Sequence, residues 1–130
     1  MSGKGYQTLL DCRHRGRLLR EHGFTVDQIA IVFSLDYPAS PLRLYRYAAG
    51  LTASQVVTAH AALDSTGATS LREARLYEYE NWPRGGRRPP AHVLRLLARI
   101  YGTTPTQLVS PQTLATYQIR DQRELVRGDQ

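Results

Sequence analysis

Three short stretches decide the fold: Gly23-Phe24-Thr25-Val26-Asp27-Gln28-Ile29-Ala30, Gly50-Leu51-Thr52-Ala53-Ser54-Gln55-Val56-Val57 and Gly102-Thr103-Thr104-Pro105-Thr106-Gln107-Leu108-Val109. Each opens on a glycine that can take the left-handed conformation ending a helix. A threonine two residues later can cap the next helix, and a glutamine three further on can reach back to close a capping box. In the first two copies Phe24 and Leu51 precede the cap and can staple onto Ile29 and Val56. In the third, Pro105 takes the first helical position, where a missing N–H costs nothing. Three sharp helix-to-helix corners in 130 residues predict an all-α protein, a compact bundle of short helices.

Working outward from the corners, periodicity supplies the helices. A basic helix through His14–Glu21 ends at Gly23. Residues 26–34 follow with Ile29, Ala30, Val32 and Phe33 on one face, then a turn over Leu35–Ala39. A helix from Ser40-Pro41 through Leu42–Ala49 places Leu42, Tyr45 and Ala49 on one side, and another covers 53–62. Asp64–Thr69 reads as a loop. Leu71–Asn81 reads as a helix capped by Ser70 or Thr69, with Ala74, Leu76 and Tyr79 inward and Arg72, Glu73, Arg75 and Tyr77 outward. After a turn-rich connector, Pro90–Tyr101 has Val93, Leu94, Leu96, Leu97, Ile100 and Tyr101 inward and His92, Arg95 and Arg99 outward. Beyond Ser110 the chain is polar, and Leu114–Val126 forms a last helix or frays. No strand is predicted.

Charge narrows the partners. The net charge is +6, and Lys4 is the only lysine beside sixteen arginines. Arginine's planar fork suits phosphate and guanine edges, so the balance favours a polyanion, of which DNA is the commonest. No apolar run approaches a membrane span, and the first residues lack the apolar stretch of a secretion signal. The expectation is a cytoplasmic, nucleoid-associated protein. Cys12, the single cysteine, excludes an internal disulfide framework. Catalysis finds no support: Cys12 and His14 diverge on a helix, and His60 with Asp64 makes at most half a metal site. No P-loop or paired zinc histidines occur. Neither enzymatic activity nor a cofactor is expected, and no effector is indicated.

From Leu42 to Val109 the order of elements resembles the XRE family, the λ repressor and Cro-like helix-turn-helix domains. Leu42–Thr52 is similar to that family's first helix and its Gly-Leu-Thr corner. Residues 53–62 resemble the second helix, and Leu76-Tyr77-Glu78-Tyr79-Glu80 resembles the end of the recognition helix. Arg87-Arg88-Pro89-Pro90 is similar to the basic connector, and Ala91–Gly102 with Pro105–Val109 to the fourth and fifth helices. Versions with a lengthened connector are familiar among actinobacterial regulators. The chain departs at Ala53, where glutamine is usual, at Val57, at Glu78, where arginine is common, and in its long loop before the recognition helix.

The resemblance implies an arrangement of three parts: an N-terminal helical extension (1–40) for core support or dimerisation, the XRE-like domain (41–110) and a C-terminal tail or last helix (111–130). It implies a homodimeric transcriptional regulator binding double-stranded DNA, with the helix at about 71–80 in the major groove. Arg72, Glu73, Arg75 and Tyr77 would face the bases, with Arg72 and Arg75 suited to guanine. Arg84, Arg87 and Arg88 in the connector, and Ser54 and Gln55 at a helix start, would hold phosphates. Pro83–Pro89 also resembles a loose AT-hook. A rival reading head is helix 41–49 with Arg43, Tyr45, Arg46 and Tyr47, backed by a basic stripe of Arg13, Arg15, Arg17 and Arg20. On that rival view the C-terminal helices make packing or dimer contacts. With the helix at 71–80 as reader, the N-terminal helices instead extend the core or form a dimer surface through Ile29, Val32 and Phe33. The alternative function is a protein-interaction module, a regulator's partner or antagonist on a degenerate version of the fold.

Overall fold

The computed structural model describes residues 3–65, 67 and 70–129. Among these the chain is all helical: α1 (Gly3–Glu21), α2 (Val26–Asp36), α3 (Pro41–Ala49), α4 (Ala53–Leu63), α5 (Glu73–Asn81), α6 (Ala91–Tyr101), a 3₁₀ turn (Pro105–Leu108), α7 (Pro111–Leu114) and α8 (Ile119–Gly128). No helix among the described residues is long and apolar enough to cross a membrane.

The three corners share one backbone geometry. Gly23, Gly50 and Gly102 have φ of 87°, 72° and 77°, and the amide after each glycine reaches back across the turn. Phe24 donates to Leu19 O, Leu51 to Arg46 O and Thr103 to Ala98 O, at 3.1, 3.2 and 2.9 Å. Such closures satisfy the carbonyls a helix leaves orphaned. Two of the three predicted capping boxes form, Thr25 with Gln28 and Thr52 with Gln55. The third corner differs: Thr104 makes no side-chain cap. Its carbonyl accepts the Gln107 amide at 3.1 Å, and that 3₁₀ bond takes the donor a threonine hydroxyl would need. Asp27 ties corners one and three to α3, accepting from Tyr45 Oη at 2.7 Å and from Thr103 Oγ1.

One core runs through all three segments of the sequence. It takes Leu9 and Cys12 from α1, Ile29 and Phe33 from α2, Leu94 and Leu97 from α6, and Leu125 from α8. Ile29 and Phe33 are fully buried, with Val32 packed against the core, so this face of α2 serves the core, and its use as a dimer surface is ruled out. The C-terminal segment does not fray: Tyr117 Oη donates to Pro89 O at 2.7 Å, and Asp129 accepts from the Thr106 amide at 3.2 Å.

At the centre lies α3, whose Leu42, Leu44, Tyr45, Arg46, Tyr47 and Ala48 are all buried. A buried guanidinium needs a partner, because desolvating an unpaired charge costs several kcal/mol. Arg46 finds it in Glu80 of α5, itself only 2% exposed. Nε donates to Oε2 at 2.6 Å and Nη2 to Oε1 at 3.0 Å. Arg43 adds Nε to Glu80 Oε1 at 3.1 Å and Nη2 to Asn81 Oδ1 at 2.9 Å. Charge-assisted bonds thus clamp the C-terminal end of α5 onto α3.

Candidate nucleic-acid interface

The helix predicted over Leu71–Asn81 forms but begins later than its periodicity suggests. α5 starts at Glu73, with Arg72 at its N-cap and no side-chain cap bond. Leu71 is buried outside the helix, and filling the core from that extended position keeps Arg72 in β backbone (φ −116°, ψ 159°). Ser70 therefore does not cap, and Thr69 lies outside the described residues. The inward face is Leu76, Tyr79 and Glu80. Ala74, expected inward, is exposed in the first turn of the late-starting helix, ahead of the buried face at Leu76, Tyr79 and Glu80.

The other face carries the predicted residues. Arg72, Glu73 and Tyr77 are exposed and Arg75 is half-buried. They divide between two clefts. Glu73 and Tyr77 meet Ser54 of α4 and Tyr6 of α1 in a cleft of about 620 Å³, with Arg43 and Arg46 among its walls. The Arg46 guanidinium stacks 5.8 Å from the Tyr77 ring centre. Arg72 and Arg75 line the second cleft, about 450 Å³, opposite His60 and His92. His60 is buried and its Nε2 has no partner. Burial lowers its pKa, with His92 acting the same way and Asp64 against them. The side chain packs on the buried face of α4 with Ala53 and Val56.

Several predicted phosphate contacts are already engaged within the fold. Gln55 Oε1 accepts from the Thr52 amide at 2.9 Å and from Arg13 Nη2 at 3.0 Å. Arg87 Nε meets Glu78 Oε2 at 2.9 Å, and Arg75 Nε meets Glu78 Oε1 at 3.7 Å. Arg88 lies between two rings, 5.4 Å from Trp82 and 5.0 Å from Tyr117. Its Nη2 donates to Thr116 Oγ1 at 3.0 Å. The connector is therefore folded onto the body instead of extended like an AT-hook. Ser54 and Arg84 remain exposed.

Most of the rival reading head and its basic stripe is engaged within the fold. Tyr45, Arg46 and Tyr47 are buried, half-buried Arg43 is bonded to Glu80 and Asn81, and Arg17 is exposed. Arg13 Nε donates to Gly50 O at 2.8 Å, Arg20 Nη1 to Ala48 O at 2.8 Å and Arg15 Nη2 to Asp36 at 2.8 Å. Two of these close the C-terminal carbonyls of α3, a favourable place for cations. The internal pairing of Arg46 with Glu80 escaped the sequence reading although its signal was present. Arg46 follows Leu42 by four residues and Glu80 follows Leu76 by four, so opposite charges occupy two core stripes.

No protein-family model, curated protein or solved structure matches this chain.

Proposed function

We propose that this chain is a sequence-specific double-stranded DNA-binding protein, a transcriptional regulator that reads the major groove with α5. The observation that carries the reading is the division of α5. Its buried C-terminal end is fixed to α3 through Glu80, while its N-terminal end offers Arg72, Glu73 and Tyr77 to solvent. A recognition helix needs this rigid mounting and this free end. The resemblance of residues 42–109 to the XRE family points the same way. Arg75 gives up little on turning to a base, since an exposed pair such as Arg75–Glu78 is worth about 0.2–1 kcal/mol. Ser54 and Arg84 supply backbone contacts that set register. A two-fold operator would call for a homodimer in the cytoplasm.

A second reading, a protein-interaction module, has its own support. α2 exposes Ile31 (64%) and Leu35 (81%), and Glu78 neutralises Arg75 and Arg87 on the face meant for DNA.

Anisotropy titration onto duplexes selected from a random library separates the two. Arg72→Ala/Arg75→Ala is expected to weaken binding to the selected duplex by about 1–3 kcal/mol per lost guanine contact, while binding to random duplex falls far less. Equal losses on both duplexes would contradict base reading, and no binding at low salt would leave the interaction module.

A further inference from the structure

Much of the chain's arginine is bound internally, but α8 is an exception. Arg120, Arg123 and Arg127 are exposed and have no ion-pair partner among the described residues. Their three- and four-residue spacing puts them on one helix face, across about 10 Å of axis. Together with Arg95 of α6 they line a shallow basin of about 620 Å³. Among the described residues lining it Glu124 is the one carboxylate, and it is held by Arg95 at 3.0 Å. Among those residues the three α8 arginines have no counter-charge, on a chain whose net charge is +6. Arg99 extends the patch along the exposed side of α6.

The platform beneath these arginines is firm. Leu125 is fully buried, Asp129 is bonded to Thr106, and Gly128 lies against Pro105 and Arg95. A row of exposed guanidinium groups carried on an anchored helix fits a row of phosphates, and duplex DNA carries one phosphate charge per about 1.7 Å of axis.

We infer that the α8 face is a second DNA-contacting surface, separate from α5, that grips the phosphate backbone without reading sequence. The inference rests on the DNA-binding reading above and adds to it a surface in the segment beyond Ser110.

The test is the salt dependence of binding to duplex DNA for the full chain and for Arg120→Ala/Arg123→Ala/Arg127→Ala, whose fold is checked by circular dichroism. Each lost phosphate contact lowers the log–log salt slope by about 0.9. The triple variant is expected to lose about 2–3 from the slope and to bind every duplex more weakly by a similar factor. An unchanged slope and affinity, with the Arg72→Ala/Arg75→Ala effect intact, would overturn the α8 surface and leave α5 as the reading helix. A reduced slope with no change on mutating Arg72 and Arg75 would uphold α8 and remove α5. A wild-type chain that ignores duplex DNA at low salt would overturn both.

Discussion

Glu80→Ala is expected to destabilise the protein by about 3–5 kcal/mol, a large share of the roughly 5–15 kcal/mol that holds a domain together. Removing the carboxylate leaves the Arg46 guanidinium, which is 5% exposed, without a counter-charge and with only its 3.3 Å bond to Leu51 O. It also takes one of two partners from Arg43, whose bond to Asn81 remains. Replacing both sides, Arg46→Met/Glu80→Leu, is expected to return most of that loss, because the desolvation cost of the pair disappears with its attraction. Urea unfolding followed by circular dichroism measures both. A single-variant loss under about 1 kcal/mol would show that the pair does not hold α5 in place. The consequence for function is direct, since Glu80 anchors the helix whose other end is free.

The second large effect lies in the connector. Gly86 has φ of +68°, and a Cβ built there would stand 1.9 Å from the Glu78 carbonyl oxygen and 2.8 Å from its carbon. The obstruction is backbone, so no side chain can swing away. Gly86→Ala therefore combines left-handed strain of about 1–3 kcal/mol with a forced shift of the connector. That shift would also break the Arg87 amide's bond to Glu78 O, now 3.1 Å. Gly85→Ala is the control: a Cβ there meets nothing within 4 Å, and its cost should stay within about 0.5 kcal/mol. Equal midpoints for the two variants in thermal unfolding would contradict the docked connector.

The corners were legible in the sequence because their chemistry is local. A glycine, a threonine two residues on and a glutamine three beyond specify a backbone path without reference to the rest of the chain, and Gly23/Thr25/Gln28 and Gly50/Thr52/Gln55 follow it. The third copy departs because Pro105 opens a 3₁₀ turn, a choice made by the packing of Pro105 and Leu108 rather than by the cap. The start of α5 was hidden for a similar reason. Leu71 stands eight residues before Tyr79, a helical spacing, but is buried from an extended position, after a loop whose length the pattern does not register.

The candidate site divides along the same line. Exposure of Glu73 and Tyr77 follows from helical periodicity, while Arg72 is exposed from its extended N-cap position. The internal engagement of Arg13, Arg43, Arg46 and Arg88 depends on which helices meet, and composition counts those arginines with the free ones. A basic sequence therefore overstates the charge available to a partner near the N-terminus and conceals where it accumulates on α8.

The most direct test of the central claim is a map of the backbone amides that respond when duplex DNA is titrated into ¹⁵N-labelled protein. The reading of α5 as the recognition helix predicts the largest shifts at Arg72–Tyr77, with smaller ones at Ser54, Arg84 and Arg87. Shifts absent there and gathered instead around Ile31 and Leu35, or no shifts at all, would contradict it.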